Sequence, residues 1–125
     1  MTTMTLATAK LYRWDDLSQD HPMRDIARRR VIGDKMMISQ VTLAKGAFVP
    51  THAHPNEQFA CILAGELCFV IGAEGEADRP RIIARAGDVM HLPSNVPHSA
   101  YANEDTLVLD LFSPPSEKTG VDERH

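Results

Sequence analysis

The chain has 125 residues and a mass of 13.9 kDa, with 43% hydrophobic residues and 13 Lys+Arg against 17 Asp+Glu. That size specifies one domain able to bury roughly two-thirds of its unfolded surface, so neither disulfides nor a structural metal are required for folding. A formal charge of -4 and a pI near 5.8 exclude nucleic-acid and anionic-membrane binders, which need a cationic face, and no apolar run suggests a signal peptide or membrane span.

From the N-terminus, residues 1 to about 20 carry no sustained periodicity, and Asp15-Asp16, Ser18-Gln19-Asp20 and His21-Pro22 read as turns. Arg28-Arg29-Arg30 is too short to make a basic surface and reads as an exposed strand with alternating arginines. Short apolar segments follow at 36–43, 58–63, 67–71, 81–84, 88–92 and 106–112, divided by Gly, Pro and Asn. No dozen residues sustain a helical repeat, which predicts an all-β sandwich or barrel.

Ala64-Gly65 is expected to form a two-residue hairpin turn, and the 72–80 run GAEGEADRP a longer hairpin loop. Cys61 and Cys68 then face each other across the first turn as two reduced thiols, in keeping with a cytoplasmic protein. Trp14 and Tyr101 read as core residues, and His91, between Met90 and Leu92, as structural. Segment 106–112, TLVLDLF, is apolar on both faces apart from Asp110. Such a strand is covered on both sides, by the domain interior and by a second sheet or a partner subunit, so a homodimer is expected.

Three of the six histidines carry chemistry. His52 and His54 share one face if they lie on a strand, and His98 follows 43 residues later. Pro55 permits a bend that returns Gln58 toward the same point, whereas the rival ligand Glu57 should point outward. Imidazoles with one oxygen donor suit a single divalent transition metal (Ni, Mn, Fe, Zn, Co or Cu) and leave positions open for water or substrate. Because an amide does not neutralise the ion as a carboxylate would, this donor set favours Lewis-acid chemistry.

The spacing of Gly46, His52-Ala53-His54, Gln58 and Gly65 resembles the first motif of the cupin superfamily, and Gly87, Pro93-Ser94-Asn95 and His98 resemble the second. The chain departs from the family pattern at Gln58, where many cupins have Glu, at Asn95 in place of a glycine, and at Ala102, where some members have Asn. The resemblance implies a single-domain double-stranded β-helix, or jelly-roll barrel, over 28–113. It leaves residues 1–27 as an N-terminal arm packing on the barrel or a partner, and 114–125 as a polar C-terminal tail.

Within the superfamily, HAHPNEQ, LPSNVPH and LDLFSPP resemble the KdgF-type proteins of uronate catabolism, which open 4,5-unsaturated uronate monosaccharides to linear keto forms. That likeness implies catalytic roles for Asp110 and Phe112, which share a strand face. A buried Asp110 with a raised pKa suits proton transfer, and Phe112 suits packing on a sugar ring. An Arg that such proteins tend to carry after the Ser-Pro-Pro turn is missing here, where Ser116-Glu117-Lys118 stands. Lys118 or one of Arg28 to Arg30 would have to replace it. Two other functions are compatible with the motifs: a metal-dependent dioxygenase of a small enolisable substrate, and a non-catalytic small-molecule-binding cupin.

Overall fold

The computed structural model describes residues 8–116, so residues 1–7 and most of the expected tail, Lys118 included, lie outside the described residues. The described chain is a two-sheet antiparallel β structure. Its helical content is one 3-10 turn at Trp14–Asp16, and no helix is long and apolar enough to cross a membrane.

The strands are β1 (Asp20–Met23), β2 (Ile26–Ile32), β3 (Met37–Leu43), β4 (Phe48–His52) and β5 (Glu57–Ala64) in the first half. They continue as β6 (Glu66–Ile71), β7 (Arg81–Arg85), β8 (Val89–Leu92), β9 (His98–Ala102) and β10 (Thr106–Ser113). One sheet has the order β1-β2-β3-β10-β5-β8 and the other β4-β9-β6-β7. Each apolar segment anticipated from the sequence corresponds to a strand. The sheet starts earlier than residue 28, however, because β1 and β2 pair as an edge hairpin whose inward Ile26 joins the core.

Side chains alternate across both sheets, and the inward rows interlock. Leu43, Val41, Ile62, Leu92 and Val108 from the large sheet meet Val49, Leu67, Phe69, Ala100 and Ala102 from the small one. β10 lies between β3 and β5 and runs in, out, in, out from Thr106 to Phe112, which brings Asp110 and Phe112 to the interior.

Arg28 does not lie on an exposed face. It is inward and only 3% exposed, and its guanidinium donates to both Asp20 oxygens at 2.7 and 3.2 Å. That contact holds the Asp20 carboxyl below its usual pKa and ties β1 to β2.

Ala64-Gly65 is not a hairpin turn. β5 and β6 belong to different sheets, and the pair forms the corner between them. Gly65 has φ 87°, and a Cβ there would lie 2.3 Å from the Asp105 carbonyl oxygen and 2.5 Å from Thr106 Oγ1. A positive φ suits a tight hairpin and a sheet-changing corner equally, which is why the local pattern misleads. Cys61 and Cys68 consequently lie in different sheets and are both free thiols. The 72–80 loop does join a hairpin, β6 with β7. Tyr101 is also not core: it is 45% exposed on the outer side of β9.

Gly65→Ala combines a strained backbone with a backbone clash, and is expected to lower stability by on the order of 3 kcal/mol, read as a lower urea midpoint. A midpoint equal to wild type would show that the corner can relax.

Candidate metal centre

A bulge in β4 begins the site. Val49 pairs with Ala100 and His52 with His98, and the register shifts between them. Strict alternation from the buried Val49 would point Thr51 inward and His52 outward. The inserted residue reverses that phase, so Val49 and His52 both line the inner cavity while Thr51 joins the outer surface. His98, the first residue of β9, thereby stands beside His52 with ring centroids 4.4 Å apart.

His54 reaches the same point by a different route from the one its spacing suggests. β4 ends at His52, so His54 sits in the following loop and not on a shared strand face. Its backbone oxygen accepts from Asn95 N at 2.8 Å, joining the two motif loops. Asn95 has φ 65°, a left-handed conformation that asparagine tolerates better than most side chains, which explains why it can stand in a glycine position. The His54 ring lies 5.3 Å from that of His98 and edge-on to Phe112 at 5.8 Å.

Potential ligand atoms of His52, His54 and His98 all lie within 4.8 Å of one another. Each ring is locked through Nδ1, which donates to a backbone carbonyl: Pro50 at 2.7 Å, Asn56 at 3.0 Å and Val96 at 2.8 Å. With Nδ1 protonated, each Nε2 keeps its lone pair, the form a metal ligand requires. The Gln58 amide is oriented with equal care. Gln58 Nε2 donates to Asp110 Oδ1 at 2.9 Å, which turns Oε1 toward His54 Nε2 at 3.2 Å. Two acceptor atoms then face each other across a gap that a shared cation would make favourable. The residues present therefore fit a divalent metal.

The electrostatics agree with that assignment. His98 is pushed down to about 4 by burial first, with His52 and His54 adding repulsion against a Val96 carbonyl that pulls upward. It stays neutral at ordinary pH. Asp110 is pushed up to about 6 by burial, partly opposed by the Gln58 amide. Among the described residues no cation contributes to that balance. Arg28 is bound to Asp20, Arg29 donates to the Leu17 carbonyl, and Arg30 lies 3.8 Å from Asp20. None of the three lines the inner cavity, so none supplies the missing arginine there.

Glu57 points outward and bonds His91 Nε2 at 2.7 Å, while His91 stacks on Phe59, so both are surface residues. Sequence reasoning missed Asn56 and Ser39. Asn56 is buried, receives the His54 proton on its carbonyl and donates its side-chain amide to the Pro114 carbonyl. Ser39, 1% exposed, is the cross-strand neighbour of Asp110, and among the described residues its hydroxyl has no partner. Period-2 alternation from Val41 would have placed it inside.

A family model for the cupin domain matches residues 39–113. Curated 3-hydroxyanthranilate 3,4-dioxygenases of Bacillus thuringiensis (strain Al Hakam) and Bacillus cereus (strain 03BB102) are 27% identical over 108 residues, 85% of this chain. The chain spans only 60% of their length. Among solved structures, KdgF from Halomonas sp. aligns with a TM-score of 0.71 and 27% identity, covering 88% of this chain and 97% of that one. An RmlC-like cupin from Shewanella frigidimarina NCIMB 400 aligns at 0.77 and 22% identity over 88% and 95% of the two chains. An oxalate decarboxylase from Bacillus subtilis aligns at 0.76 and 21%, covering 92% of this chain and 33% of that one. The last two likenesses bear on the fold alone.

In the metal-free protein the two shifted groups act in opposite directions. Neutral His98 contributes stability that is lost as pH falls from its ordinary 6.5 toward 4. Protonated Asp110 contributes stability at low pH that is lost as pH rises from 3.8 through about 6. Asp110→Asn removes the second slope, so the variant should lose stability more steeply than wild type between pH 6 and 4. Urea midpoints across that range test it, and parallel curves would refute the assignment. Separately, His52→Ala and His98→Ala should purify folded but without stoichiometric metal, as elemental analysis would report; unchanged metal content would sink the proposed ligand set.

Proposed function

The chain belongs to the cupin family, and on that premise we propose that it is a metal-dependent enzyme that opens 4,5-unsaturated uronate monosaccharides. The observation that carries this reading is the Gln58 amide, which joins Asp110 to the histidine cluster through one side chain. The likeness to KdgF from Halomonas sp., which extends over 88% of this chain and 97% of that one, supports it. A divalent ion held by His52, His54, Gln58 and His98 would supply Lewis-acid polarisation of substrate oxygens.

The remaining chemistry falls to the chain's own residues. Ring opening is an isomerisation: the anomeric hydroxyl loses its proton, the C1–O5 bond breaks as C1=O forms, and C4 gains a proton as C5 becomes a ketone. Asp110 delivers the proton to C4 and recovers one from the anomeric hydroxyl. A carboxyl with a pKa near 6 is suited to both directions. Gln58 fixes the direction of that carboxyl, and Phe112, buried beside His54, covers the sugar face and excludes water.

Two observations favour the dioxygenase reading. The inner cavity is walled mostly by apolar side chains, with no cation among the described residues to receive a uronate carboxylate, and the curated relatives named above are dioxygenases. A non-catalytic cupin would bind its ligand tightly without turnover.

We also infer a cytoplasmic homodimer. On the outer face of the large sheet, exposed Phe59, Leu63 and Val89 adjoin half-buried Leu107, Leu109 and Leu111, a contiguous apolar surface of the kind that subunits cover.

The first test is the ultraviolet absorbance of a 4,5-unsaturated uronate mixed with metal-loaded protein. Its double-bond signal should fall, stop falling after chelation, and fall about 100- to 10,000-fold more slowly with Asp110→Asn at unchanged metal content. A stable signal with fully loaded wild type would remove uronates, and oxygen uptake with small enolisable acids would then identify the dioxygenase. Sedimentation should give twice 13.9 kDa. Leu109→Lys should yield monomers, and a monomeric wild type would overturn the dimer.

A further inference from the structure

The cavity behind the histidines is divided by chemistry along the strands. Its polar members, His52, Gln58, His98 and Asp110, all belong to the end where β10 carries Phe112. One inward step deeper along β10 from Asp110 lies Val108, and one step deeper along β9 from His98 lies Ala100. Ala100 is flanked by its partners Val49 and Phe69. From that level downward every lining residue is apolar. The whole cavity, its polar end included, measures about 50 Å³, room for about three or four water-sized groups.

A floor without donors or acceptors rejects a sugar hydroxyl, whose hydrogen bonds to water would be lost without replacement. It accepts a methyl or methylene group, which makes contacts there and leaves water. The space is also too small for a branched chain or an aromatic ring.

We propose that this floor is a subsite for a short unbranched alkyl group, so that the centre also takes small chelating acids with oxygens on adjacent carbons and a tail of about two or three carbons. Short-chain 2-oxo acids have that form: the carboxylate and ketone oxygens face the histidines, and the tail enters between Val108, Ala100, Val49 and Phe69. The inference rests on the metal-centre reading and not on uronate opening. A uronate ring would have to remain at the mouth, on the Phe112 side.

Cobalt-loaded protein, titrated with pyruvate, 2-oxobutanoate, 2-oxopentanoate and 2-oxoheptanoate, tests the subsite through the visible absorption of cobalt. Affinity should rise about fourfold for each added carbon as far as 2-oxopentanoate and drop for 2-oxoheptanoate. Ala100→Leu fills the floor and should abolish the gain while retaining cobalt. Val108→Ile, a milder filling, should reduce it if the leucine variant does not fold.

Xenon supplies a readout that needs no metal. Metal-free wild type should bind it saturably by xenon magnetic resonance, and the filled variant should not. Equal affinity along the acid series, or no xenon binding, overturns the subsite. Wild type that binds xenon but no cobalt overturns the metal-centre reading while upholding the apolar pocket.

Discussion

The site depends on one extra residue in β4. Without the bulge between Val49 and His52, the register would pair Thr51 with His98, and pleating would turn His52 to the outer surface, away from the other two imidazoles. The same displacement keeps Val49 in the core, so it costs the interior no apolar contact. Packing below and ligation above are thus reconciled at a single point. The loop that follows is free to bring His54 in from outside the strand, because its position is set by hydrogen bonds to Asn56 and Asn95 and not by pleating.

Above that foundation the centre is organised by direction of hydrogen bonding more than by charge. Three backbone carbonyls hold the imidazoles through Nδ1, and one carboxylate orients one amide. Each lock removes a choice that the side chain would otherwise have to make on binding, which is preorganisation. Asp110 has a double task in this arrangement, since the contact that orients Gln58 also opposes the effect of burial on its own proton. Asp110 and the Gln58 amide therefore form a unit, and the effects of substituting them should not be additive.

Much of this was legible in the chain. β3, β5, β6, β7, β8 and β10 show as apolar segments, and alternation along TLVLDLF puts Asp110 and Phe112 on one face. The types and spacing of residues 52, 54, 58 and 98 mark them as one cluster, and the structure brings the four side chains together. What stayed hidden depended on partners distant in sequence. Nothing local distinguishes a corner between sheets from a hairpin at Gly65, because both need a positive φ. Arg28 reads as surface until Asp20 is seen beside it, and Tyr101 as core until its strand is seen to face outward. The bulge is likewise invisible, since it is defined by the register of β4 against β9.

Glu57 and Gln58 are neighbours in sequence and point to opposite faces of β5, one on the surface with His91 and one inside with Asp110. A slip of β5 that carried Glu57 into the place of Gln58 would turn a carboxylate toward the histidines and leave the amide outside. An amide and a carboxylate at this place are therefore separated by one insertion in the 53–56 loop, compensated by one deletion further along β5. Such a slip offers descendants of this chain a route between chemistries that requires no point mutation at any ligand.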